Sequence, residues 1–65
     1  MKIQYFKDTD TLYLEFREEG IVETRDLDEN TILDLDEAGH VLAITFEHVS
    51  TRTDLRRVTL EGLAA

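Results

Sequence analysis

Carboxylates are the side chains in this sequence best placed to do chemistry, and they gather where the chain turns. Asp34-Leu35-Asp36-Glu37-Ala38-Gly39 has acids at its first and third positions and glycine at its sixth, as at the start of a calcium-binding loop. Beyond that the pattern fails. Ala38 offers no oxygen at the fifth position, and the twelfth is Thr45 where a bidentate glutamate is needed. A hairpin turn accounts for Gly39 without an ion, and that reading is preferred. Asp26, Asp28 and Glu29, with Asp8 and Asp10, form a second group of acids near turns. Gathered at one end of a sheet they could hold magnesium or work as an acid/base pair. Acids in turns more often bond to local backbone and face solvent.

His40 and His48 are the side chains whose ordinary titration falls near neutrality. One sits by a turn and the other beyond a strand, so nothing brings them together. No serine–histidine pair, cysteine nucleophile or phosphate-cradling glycine loop is present. The residues therefore point to no catalytic group, no metal and no cofactor. Tyr13 is of another kind. It falls on a strand face with Glu15, Asp34 and Asp36, beside Ile32, Val41 and Ala43. An aromatic ring amid acids can receive a basic protein, because tyrosine is favoured in interface cores. These four residues, Tyr13, Glu15, Asp34 and Asp36, are the candidate protein interface; an ordinary exposed tyrosine is the competing reading.

What elements would position these groups? Thr31 to Glu47 is the longest apolar stretch, two strand-like runs punctuated by Gly39, and reads as a β-hairpin around which the rest is organised. With Ala38-Gly39 as a two-residue loop, Leu35 faces Leu42, Leu33 faces Ile44 and Thr31 faces Phe46. The other side then carries Asp36/Val41, Asp34/Ala43 and Ile32/Thr45. A three-residue loop, Glu37-Ala38-Gly39, would slip the register and mix the two sets. The tight loop wants a left-handed Ala38, at about 1–2 kcal/mol. The cleaner segregation nevertheless favours the two-residue loop.

Ahead of the hairpin, residues 2–6 alternate with Ile3 and Tyr5 on one face, and residues 7–10 form a turn. Residues 11–17 alternate most cleanly, with Leu12, Leu14 and Phe16 opposite Tyr13, Glu15 and Arg17. Residues 21–27 make a more polar strand suited to a sheet edge. After Glu47 the pattern predicts a helical turn near 48–54 and a short strand near 57–61. Residues 1–62 then form one small domain, and residues 63–65 a frayed end. The expected fold is mainly β: an antiparallel meander of five to six strands with one short C-terminal helical turn.

The apolar face of such a sheet carries Ile3, Tyr5, Leu12, Leu14, Phe16, Leu33, Leu35, Leu42, Ile44 and Phe46. A lone sheet cannot bury that face, and Leu55, Val58 and Leu60 are too few to cover it. With 65 residues and no cysteine, the chain has no disulfide to compensate for a small core. A second copy packed face to face, a homodimer, is the simplest completion. Fifteen acids against seven basic residues, net −8, argue against nucleic acid and anionic membranes as partners. No apolar run approaches the ~20 residues of a membrane helix, and no leader-like segment opens the sequence, so a cytoplasmic protein is expected.

One further set of residues is informative together. Tyr5, Asp8-Thr9-Asp10-Thr11-Leu12-Tyr13-Leu14, then Ile32-Leu33-Asp34-Leu35-Asp36-Glu37-Ala38-Gly39-His40-Val41 and Ile44, resemble the domain of unknown function 2283 family of small, mostly bacterial proteins. The likeness spans about residues 1–50. The family usually has Asn where this chain has His40 and often Asp where it has Ala38, so the departures fall in the turn. The resemblance implies a small sheet and carries no activity, catalytic residue or cofactor; some members look like partners of small toxin-like proteins. The expected function is thus a non-enzymatic interaction module for a basic protein partner, in the manner of an antitoxin-like neutraliser. The alternatives are a small metal-assisted enzyme using turn carboxylates and a purely structural homo-oligomer.

Overall fold

The computed structural model describes residues 1–62, and these fold as five antiparallel strands in one open sheet followed by a single 3-10 turn. The strands are β1 (Lys2–Phe6), β2 (Thr11–Glu15), β3 (Glu23–Asp28), β4 (Thr31–Leu35) and β5 (Val41–Phe46). The 3-10 turn is Val49–Thr51, within the segment where the sequence predicts one. Residues 57–61 form no strand, against expectation; Val58 and Leu60 stay exposed and find no sheet edge to pair with. The expected frayed end, residues 63–65, lies outside the described residues.

The strands lie in the order β1-β2-β5-β4-β3. Consecutive strands pair as in a meander in three places, β1 with β2, β3 with β4 and β4 with β5. The fourth neighbour pair is β2 with β5, so β2 and β3 stand apart. They are three strand spacings from each other, ~14 Å, while the connection 16–22 can extend up to ~23 Å. A short link does not by itself force its strands together. The link is held by backbone bonds across the sheet's end. Phe16 and Arg17 donate to the Leu42 carbonyl at 2.8 and 3.2 Å, and Val22 donates to Leu35 at 2.9 Å.

This order puts β5, the most apolar strand, in the centre, where both its edges are paired. The buried apolar residues follow from it: Leu42 and Ala43 on β5, Leu35 on β4, and Val49 of the 3-10 turn. Leu12, Leu14, Leu33, Ile44 and Phe46 are half-buried. Ile3, Tyr5 and Phe16, also expected in the core, are exposed, because the residues after the 3-10 turn border Ile3 without burying it. The molecule is correspondingly thin, 17 Å across its shortest axis.

The β4–β5 register combines both hairpin readings. From Thr31/Phe46 through Asp34/Ala43 the pairs are those of the two-residue loop. Near the turn, however, Asp36 donates its amide to the His40 carbonyl at 3.0 Å, leaving Glu37-Ala38-Gly39 as a three-residue loop. Gly39 alone takes positive φ (+87°), so Ala38 is spared the left-handed strain. A bulge reconciles the two halves, with Leu35 opposite Val41. The two-residue loop is thus corrected at the turn but not along the strands. The free carbonyl of Leu42, the extra residue, is the one that Phe16 and Arg17 use.

Candidate functional site

The sheet's polar face is assembled by three central strands. Glu15 on β2 and Asp34 on β4 both stand opposite Ala43 of β5, so the two carboxylates flank one methyl group on the same face. Ala43 is fully buried beneath its longer neighbours. Tyr13, two residues before Glu15, shares that face, and its hydroxyl donates to Glu15 Oε2 at 2.9 Å. Next along, Thr24 of the β3 edge donates to Asp34 Oδ1 at 2.7 Å. Burial of the Tyr13 ring, then its bond to Glu15 and the nearby charge of Asp34, push its pKa above the ordinary tyrosine value. The raised value keeps the Tyr13 phenol neutral at neutral pH, with its hydroxyl on Glu15.

Of the four interface candidates, the structure brings Tyr13, Glu15 and Asp34 together and leaves Asp36 at the turn. Asp36 accepts the His40 amide at 2.8 Å and meets His40 Nδ1 at 3.3 Å. The backbone bond from His40, and then the imidazole's charge, hold its carboxyl below the ordinary range. Asp36 closes the turn. His48 lies elsewhere, as the left-handed residue preceding the 3-10 turn, φ +53°. Neither histidine reaches Tyr13's hydrogen-bonding neighbours.

The remaining acids are spread out. Asp28 Oδ1 accepts the Asn30 amide at 2.9 Å, a local turn bond that holds its pKa low. Among the described residues no group of three histidine, cysteine or acidic side chains is arranged to hold a metal ion. No helix among them is long and apolar enough to cross a membrane.

Asp10 has a role the sequence did not suggest. Its carboxylate accepts the Tyr5 hydroxyl at 2.7 Å, the Ser50 hydroxyl at 2.6 Å and the Ser50 amide at 3.2 Å, while its carbonyl accepts the Val49 amide at 3.0 Å. These bonds tie the 3-10 turn to the β1–β2 turn. The Ser50 and Tyr5 hydroxyls hold the Asp10 carboxyl below the ordinary range. Arg52, just after that turn, lies 5.2 Å over the Phe46 ring and donates to the buried Thr31 hydroxyl at 2.9 Å. Forty residues separate Asp10 from Ser50, so no local pattern could have signalled the contact.

Comparison with known proteins gives a family and adds no chemistry. The family model described as "Protein of unknown function (DUF2283)" matches residues 2–50. No curated protein and no solved structure matches the chain. The matched span includes all five strands and the β4–β5 turn, three-quarters of the sequence. The chain therefore belongs to the DUF2283 family.

Proposed function

We propose that this protein is a non-enzymatic interaction module that takes a basic partner protein on its polar sheet face, in the manner of a neutralising antitoxin. The observation that supports it is the Tyr13–Glu15–Asp34 arrangement around Ala43. Glu15 and Asp34 flank Ala43 on one face, and the half-buried Tyr13 ring is bonded to Glu15, so these groups are held in place before a partner arrives. Arginine suits such a patch, since its planar fork can bond a carboxylate while its face stacks on the tyrosine. The net charge of −8 would steer a cationic protein toward the molecule from a distance, with strong salt dependence.

A nuclear magnetic resonance titration with an arginine-rich peptide tests the reading, with a glutamate-rich peptide as control. Amide shifts should concentrate at Tyr13, Glu15, Asp34 and Ala43, shrink as salt is raised, and vanish in Tyr13→Ala combined with Asp34→Lys. Shifts spread evenly over the acidic turns would mean that the sheet face is no site.

A further inference from the structure

The two outer strands are built differently, and the difference points to a surface for a second copy of the chain. Strand β3 is guarded as exposed edges commonly are. It carries four charges in six residues, Glu23, Arg25, Asp26 and Asp28, and an irregularity between Asp26 and Asp28 breaks its pairing rhythm. Both devices discourage another strand from adding there. Strand β1 has no irregularity and only one charge, Lys2 at its end. Lys2 to Phe6 pair with β2 in five consecutive regular positions, and the strand contains no acid. Every residue in it is exposed, and among the described residues no backbone bond reaches its outer edge. Of eleven large exposed apolar residues among the described residues, four fall within the first six positions: Met1, Ile3, Tyr5 and Phe6.

We infer that β1 pairs antiparallel with β1 of a second copy about a two-fold axis through Gln4, joining two five-stranded sheets into one. The strand is self-complementary in that register. Gln4 meets Gln4, and Ile3 meets Tyr5 of the second copy on the apolar face. Lys2 meets Phe6 of the second copy on the polar face. An aromatic beside a β-branched residue and a cation beside an aromatic are both favourable cross-strand pairs, and no like charges stand opposite one another. On β3 no such regular register exists, because the irregularity between Asp26 and Asp28 interrupts it. The two-fold keeps both apolar faces on one side. It brings Tyr5 of the second copy beside a hollow of about 460 Å³ whose lining includes Met1, Ile3, Leu14, Val58 and Leu60. That gives apolar area beyond the backbone pairing, which five residues of edge alone would not supply in the amount a stable dimer needs. This pairing differs from face-to-face stacking and leaves the Tyr13 face open.

The full chain tests this without any partner protein. Analytical ultracentrifugation should give twice the monomer mass, with the dimer favoured by added salt because each copy carries −8. Gln4→Lys and Gln4→Glu each place like charges together at the axis, so each should return the mass to monomer. Mixing the two variants should restore the dimer. Separately, Gln4→Cys should oxidise in air to a covalent dimer. Residues opposite each other in an antiparallel pair sit at roughly 4.5–5.5 Å between Cα atoms, within disulfide reach. Thr24→Cys on β3 should not oxidise in this way. Circular dichroism shows whether each variant is folded, and the cysteine result stands even if a charged variant is not. A monomeric wild type would overturn the inference, as would an open-ended polymer or a dimer that survives both charged variants. So would mixing that restores nothing, or crosslinking through Thr24→Cys as readily as through Gln4→Cys.

Discussion

Two turns in this protein share a backbone hydrogen bond and a left-handed last residue, and have different duties. Residues 7–10 close β1 onto β2, with the Asp10 amide donating to the Lys7 carbonyl at 3.3 Å. Residues 36–39 close β4 onto β5, with the Gly39 amide donating to the Asp36 carbonyl at 3.0 Å. In each, the last residue is left-handed, φ +54° at Asp10 and +87° at Gly39. Glycine reaches that conformation freely, whereas aspartate is strained there unless something compensates. At the second turn all the bonds are local. Asp36 reaches His40, four residues away, and the turn is self-contained. At the first, the left-handed residue is the hub that holds Tyr5, Val49 and Ser50. Where a turn only reverses the chain, glycine serves. Where it must also fasten a distant segment, a side chain is worth backbone strain.

The largest test concerns what the glycine turn demands of its neighbours. Its three-residue loop needs a compensating bulge, and Leu42, the residue at that bulge, is buried. Leu42→Ala should cost about 2–5 kcal/mol in chemical denaturation. Val41→Thr, at the partly exposed neighbouring position, should cost on the order of 1 kcal/mol or less. If Val41→Thr proved the more damaging, this account of the bulge would be wrong.

Next in size is the aspartate itself. Asp10→Gly relieves the left-handed strain but removes every side-chain bond to Tyr5 and Ser50, so the denaturation midpoint should fall. It should fall further than for Asp36→Gly. A variant at Asp10 more stable than wild type would mean that the turn's strain outweighs its fastening. The converse substitution, Gly39→Ala, meets open space and has only the backbone against it. Its cost should be about 1–2 kcal/mol.

The smallest effect is on pH dependence, and its sign follows from the direction of each shift. Asp10 and Asp36 hold their protons more weakly folded than unfolded. Their contribution is therefore present above the ordinary aspartate value, ~3.9, and is lost as pH falls through the lowered folded values. Asp10→Asn should flatten the acid limb of a melting-temperature profile. Tyr5 behaves oppositely. Its bond to Asp10 raises its pKa, so stability present below ~10 is lost as pH climbs through the raised value. Tyr5→Phe should remove that alkaline loss. An unchanged profile in both variants would show that the Tyr5–Asp10 bond is not populated in solution.

How far could these features be read beforehand? The strands at 2–6 and 31–35 were legible because side chains alternate across a sheet with a period of two, whatever their partners. The central hairpin's pairing between residues 31–34 and 43–46 was legible for the same reason. Its turn was not, since segregation of side chains favours one loop and backbone strain at Ala38 another. A bulge satisfies both, and no pattern in the sequence announces it. The interface candidates show a similar divide. Tyr13, Glu15 and Asp34 share a face by parity and remain on it around Ala43, whereas Asp36 shares that parity but is drawn into the turn by His40.

What the sequence determined by itself, then, is local: the segments that become strands, the faces of residues 31–34 and 43–46, and an acidic surface. These rest on steric preferences and short-range hydrogen bonds within a few residues. The tertiary structure decided the rest. It placed β5 between β2 and β4, carried the connection 16–22 over the sheet's end, and joined Asp10 to Ser50 and Arg52 to Thr31. Burying the most apolar strand with both its edges paired is a property of the whole sheet, so no window of neighbouring residues contains it.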